Sequence, residues 1–270
     1  MEDRTMLKGI IREMSFLKSV WLMNLASAME YRFNFIIQIV FMFINNAIYF
    51  VFWLLFFEHF ESIKGWSMTE MYLLFATVTT GFGIALTIFG NATRLNNMIT
   101  MGQMDTYLSF PRPVMLYALI SRSSVAALGD ISFGVIAFLF AKKFTWQAVV
   151  LWMGCSVLVA LIFVAFCSLV GSLAFWLGKS NVLAEQANMV LLTFSMYPNG
   201  IFDGFVRLLL FTIVPAGLIG AFPVEIVRDL NGDLFVKLAI YALIICVISV
   251  MVFYFGLRRY ESSNVINMNS

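Results

Sequence analysis

Charged residues are scarce: Asp, Glu, Lys and Arg account for 12% of the 270 residues, about half the roughly 25% of an ordinary soluble domain. That shortfall excludes a water-soluble globular chain. The 17 basic and 15 acidic side chains leave a net charge of only +2, so there is no broad basic surface to hold nucleic acid. A single histidine, His59, sits beside Glu58 and Glu61, with no partner at metal-ligand or triad spacing. It reads as a solvated loop residue. Cys155, Cys167 and Cys246 each fall inside an apolar run without paired spacing. This excludes a disulfide scaffold or a zinc centre and leaves three small core residues. A phosphate-binding loop is missing too. Its nearest imitation, ending in Gly178-Lys179-Ser180, has Leu173 where that loop needs its first glycine. These residues read as the stop of an apolar helix. No catalytic residue, metal site, cofactor site or ATP-hydrolysing machinery is expected on this chain.

What is abundant is hydrocarbon. The sequence is 61% hydrophobic with a mean hydropathy of +0.91. Six runs meet the roughly 20 residues that a helix needs to cross a bilayer: 33–57, 69–90, 114–141, 146–177, 187–218 and 234–257. They predict an all-α membrane protein with six transmembrane helices. The first run far exceeds the roughly 7–15 apolar residues of a signal sequence and follows a charged segment, so it is expected to stay as an anchor. The fourth is long enough to tilt or to extend past the membrane. The fifth is interrupted at Tyr197-Pro198-Asn199-Gly200, where proline removes a backbone donor and glycine loosens the helix. This predicts a span ending near Pro198, then one or two short re-entrant outer helices before Pro215 and Pro223. Within them Asp203 and Arg207, spaced i and i+4, are expected to satisfy each other.

Ahead of the first run, Leu7, Ile10, Ile11, Met14, Leu17 and Trp21 share a helical face opposite Lys8, Arg12, Ser15 and Ser19. Such a helix either lies in the headgroup layer or packs on the protein's own cytoplasmic loops. The chain therefore divides into an amphipathic cytoplasmic interfacial segment 1–32, a transmembrane domain 33–257 and a cytoplasmic tail 258–270. Lysine and arginine set the orientation. With the N-terminus inside, eleven of the 17 basic residues are cytoplasmic, and Lys64, Lys142, Lys143, Arg207, Arg228 and Lys237 are outside. Both termini are then cytoplasmic.

One polar island stands out, Gly102 to Pro113, between the second and third runs. Its lead-in, from Arg94 through Met98 to Gln103, reads as a short amphipathic helix. Asp130, after Gly129 in the third run, is an intramembrane carboxylate, expensive by a few kcal/mol unless partnered. Arg122, two turns earlier, is one candidate partner; a polar group on a neighbouring span is another. A structural hydrogen bond and a direct role in substrate passage both stay open. Asn45, Asn46, Thr77, Thr79, Thr80, Gly81 and Gly83 either line a path or serve as helix-packing contacts. Asn91-Ala92-Thr93 has the form of a glycosylation acceptor, but this orientation places it inside.

Taken together, these features resemble the six-span ABC-2 type permeases that bacteria encode beside a separate ATPase. Gly102, Asp105, Tyr107-Leu108, Pro111 and Pro113 are similar to that family's glycine, acid, aromatic-leucine and proline signature. Arg122, Gly129 and Asp130 resemble its next block, and Tyr197-Pro198, Ile201-Phe202 and Pro215 its outer segment. The resemblance implies a multi-pass protein of the bacterial cytoplasmic membrane, acting as an exporter permease. It also implies an ABC ATPase dimer, carrying ATP and Mg, that grips a cytoplasmic coupling helix through Arg94, Met98, Gly102, Asp105, Tyr107, Pro111 and Arg112. A second permease chain is expected, as homodimer or heterodimer, with membrane lipid around both. Two other classes stay open from the residues alone. An ion- or proton-coupled secondary transporter would use Asp130 as its protonation site, and a non-transport membrane assembly protein would bind a partner without flux.

Overall fold

The computed structural model describes residues 2–143 and 145–260. The side chains at Leu7, Ile10, Ile11 and Met14 and the tail 261–270 lie outside the described residues, and with them much of the predicted N-terminal apolar face. The chain is all-α, with 80% of it helical. In order, the helices are α1 Glu2–Met29, α2 Arg32–His59, α3 Met68–Ile88, α4 Leu95–Thr100, α5 Met104–Leu108, α6 Val114–Ile120, α7 Ala127–Phe140, α8 Trp146–Ser172, α9 Ala174–Leu177, α10 Asn181–Ser195, α11 Gly204–Thr212, α12 Ala216–Asp229 and α13 Gly232–Leu257. Two 3-10 turns, Ala92–Arg94 and Asn199–Ile201, precede α4 and α11.

Among the described residues, four helical units are long and apolar enough to cross a membrane: α2, α3, α8 continued by α9, and α13. The pair α11 and α12, bent by 87°, makes a fifth if counted as one span. Three long helices begin on side-chain caps that satisfy an otherwise orphaned N–H. Ser67 and Glu70 form a capping box on α3, Thr145 accepts from Ala148 N at 3.3 Å, and Asn231 from Leu234 N at 3.1 Å.

The core is built on α3. In its apolar window 78% of residues are buried, against 17% for α2 and 28% for α13. Neighbours reach it closely because small residues face it. A Cβ at Gly134 of α7 would collide with Thr80 and Thr79, and one at Gly83 would lie 2.8 Å from Ala127 O. Thr77 and Thr79 return their hydroxyls to Leu73 O and Phe75 O at 2.9 and 2.7 Å. These residues are therefore helix-packing contacts within the chain.

Two predicted spans are not single helices. The third run divides into α6 and α7 at 121–126, because Ser121-Arg122-Ser123-Ser124 breaks the apolar sequence. The freed carbonyls still find donors, as a low-dielectric setting demands. Asn91 N donates to Leu119 O at 3.2 Å, Gly90 N to Arg122 O at 2.9 Å, and Asn24 Nδ2 to Ile120 O at 3.1 Å. In the fifth run, α10 starts at Asn181, six residues before the predicted 187, and stops at Ser195. It is followed by the short α11 and by α12, which continues through Pro223.

Candidate functional site

The polar island and its lead-in form two short helices, α4 and α5, separated by a turn at Gly102, whose φ of +72° suits glycine. The predicted helix over 94–103 is thus α4 followed by a turn, and α5 begins just beyond it. The apolar face of α4 is already occupied. Leu95, Met98 and Ile99 are buried, as is Met104 of α5, and α4 packs against α8. Met98 therefore points inward. Arg94, Asp105 and Pro111 are exposed, while Gly102, Tyr107 and Arg112 are half-buried.

Polar bonds tie this segment to two other parts of the chain. Asn91 Nδ2 donates to Ala118 O at 2.9 Å and to Ser121 Oγ at 2.8 Å, holding the end of α6. The Tyr107 hydroxyl lies 2.8 Å from the same Ser121 Oγ, and its ring meets Tyr117 edge-on at 5.4 Å. Asn96 Nδ2 donates to Ser180 Oγ at 2.9 Å, anchoring α4 to the turn before α10. That turn exists because Gly178, at φ +62°, stops α9, as expected from Gly178-Lys179-Ser180. Tyr260, just past α13, has a buried hydroxyl without a hydrogen-bond partner, and burial first and neighbouring Asp105 second push its phenol up to about 12. Arg112 stacks its guanidinium 4.5 Å above the Phe16 ring of α1. Asn91, Asn96, Ser121 and Ser180 were not legible as site residues. Only two patterns marked any of them: the helix stop at Gly178-Lys179-Ser180, and the acceptor-like triplet at Asn91, which serves here as a structural cap.

Asp130 is buried on α7, and its partner is Asn46 of α2, whose Nδ2 donates to Oδ1 at 2.6 Å. Arg122 does not fill that role. It is exposed in the break before α7, so the neighbouring-span alternative is the one the structure adopts. Gly129 allows the contact, since a Cβ there would lie 2.9 Å from Phe43 N of α2. The second oxygen, Oδ2, is buried without a hydrogen-bond partner.

Beyond Pro198, the expected pairing of Asp203 with Arg207 is replaced. Lys64, in the α2–α3 loop, donates to Asp203 Oδ2 at 2.6 Å, and this contact holds the Asp203 carboxyl below its ordinary range. Asp203 is in extended backbone before α11, within reach of the loop, while the Arg207 guanidinium lies 5.9 Å from the Phe211 ring centroid. Among the described residues no group of His, Cys, Asp and Glu is arranged to hold a metal ion.

Long apolar helices around a buried α3, with polar groups turned inward or gathered at helix ends, define an integral membrane protein of helical, multi-pass type. Residues 43–264 match the family model described as ABC-2 family transporter protein. The chain belongs to that family and is an ABC transporter permease, of a kind that pairs with an ATPase subunit. No curated protein and no solved structure matches it.

Proposed function

We propose that the chain is the permease subunit of an ATP-driven exporter, moving its substrate outward by alternating access while a separate ATPase hydrolyses ATP. The observation that carries this reading is the double tether of 91–108, to the end of α6 and to the turn before α10. A displacement of so small a segment reaches both elements together, as a two-state switch between inward and outward openings requires. In this reading 91–113 and both termini are cytoplasmic, in a bacterial cytoplasmic membrane. The six crossings are α2, α3, α6 with α7, α8 with α9, α10 continued through 196–201, and α13; α11 and α12 form the re-entrant outer pair. Two permease chains, identical or not, meet an ATPase dimer that brings ATP and Mg. The surface offered to the ATPase is the exposed part of the segment, Arg94, Met101, Asp105, Leu108 and Pro111, with Met98 holding it from beneath.

Co-purification with the ATPase, and its stimulation in lipid, test this directly. Asp105→Ala should lower the stimulated ATPase rate several-fold with membrane insertion intact, whereas Met98→Ala should destabilise the permease. An ATPase that neither co-purifies nor responds to the permease sinks the proposal. One observation favours a second reading, a proton-coupled carrier: the unpartnered Oδ2 of Asp130. Transport that collapses with the proton gradient and needs no ATPase would select it.

A further inference from the structure

A hollow of about 380 Å³ opens between α6, α8 and α13, walled by Pro113 and Leu116, by Leu161 and Ala165, and by Val250 and Tyr254. No charged side chain lines it; Ser249 and Cys246 are the small polar groups in its wall. We infer that it holds one acyl chain of a membrane phospholipid whose phosphate rests on Arg258. This goes beyond the coupling reading and does not depend on it.

Shape selects the tail. The lining runs along α13 from Cys246 to Tyr254, about 12 Å of helix. Along that length the wall is almost wholly apolar, which suits a hydrocarbon chain lying parallel to the helix. Its size is at the lower end of ligand cavities, about 300–1,000 Å³. A polar solute would find almost nothing to bond, and its desolvation would go uncompensated.

Position selects a lipid. On the outer side of α13, Val247, Val250, Met251 and Phe255 are exposed, each by 44% or more. On a span of this kind such residues meet the bilayer's own acyl chains, so the hollow is continuous with that hydrocarbon. Tyr254 borders both this hollow and a second one that reaches Arg258. Arg258 is exposed, one turn further along. A guanidinium there complements a phosphate, with the tyrosine at the polar boundary where such rings collect.

The test is native mass spectrometry of the full permease chain in detergent, titrated with dioleoylphosphatidylglycerol or with the matching diacylglycerol, which has the tails but no phosphate. Arg258→Gln should weaken phosphatidylglycerol binding about tenfold and leave diacylglycerol binding unchanged. Leu116→Trp, which fills the hollow, should weaken both; Val250→Trp repeats the block from the opposite wall should the Leu116 variant fail to fold. Phosphatidylglycerol binding that no variant alters overturns the inference. So does loss in the Arg258 variant alone, which signifies headgroup adsorption without a seated tail. A change of oligomeric state in the filled variants, without a change in bound lipid, assigns the hollow to a second copy and overturns it equally.

Discussion

Asp130 and Asn46 form a buried polar contact between α2 and the rest of the bundle. The Asn46 amide gives the carboxyl one partner, and Oδ2 has none. Asn46→Ala removes that partner and should cost about 1–3 kcal/mol, the usual penalty for orphaning a buried polar group. Asp130→Asn keeps an acceptor for Asn46 and removes a titratable group, so it should unfold at or above the wild-type midpoint in detergent. If transport is lost in Asp130→Asn while stability holds, the carboxyl has a role beyond packing. Tyr260 gives a separate residue-level readout. Its raised pKa means that the fold favours the neutral phenol. That stability is complete below the unfolded value of about 10 and is lost as pH rises through the folded value near 12. Subtracting the tyrosinate titration of Tyr260→Phe from that of the wild type should leave a step near 12; a step near 10 means the phenol is not seated beside Asp105.

At the scale of elements, the broken third run depends on the segment after α3. Asn91 makes two side-chain bonds to the end of α6, and its loss leaves Ala118 O with Ser121 Oγ as its one remaining side-chain donor. Asn91→Ala should cost about 2 kcal/mol, read as a fall in thermal midpoint, while Thr93→Ala in the same triplet should stay within about 0.5 kcal/mol. Equal effects of the two would remove Asn91 from its role as cap. The helices that were legible, α2, α3, α8 and α13, are those with unbroken apolar runs. The α6–α7 break hid in Ser121 to Ser124, four polar residues in a long apolar stretch that also reads as one helix. The early start of α10 hid behind Asn181, Glu185 and Gln186, which do not look like membrane residues. For the candidate site, periodicity identified an apolar face on 94–103 but could not say what covers it. The chain's own α8 does, and so Met98 turned out to be support. Asp203 likewise found Lys64, 139 positions away, a distance over which local spacing carries no information.

For the whole molecule, the side of the membrane that each loop faces follows from whether the broken third run crosses. Short helices can span only as a continuous unit. At about 1.5 Å per residue, the 14 residues of α7 cover about 21 Å of a hydrocarbon core about 30 Å thick, and α6 must supply the remainder. Three single cysteine variants at exposed positions separate the possibilities: Glu61→Cys before α3, Ser109→Cys after α5 and Lys142→Cys after α7. They are labelled with a membrane-impermeant maleimide in right-side-out and inverted vesicles. The six-crossing arrangement expects Ser109→Cys to label only in inverted vesicles and the other two only in right-side-out ones. If Lys142→Cys labels with Ser109→Cys, α6 and α7 form a re-entrant pair, and the count of crossings falls. If all three exchange sides, 91–113 faces away from any cytoplasmic ATPase, and its tethers to α6 and to the turn before α10 need another explanation.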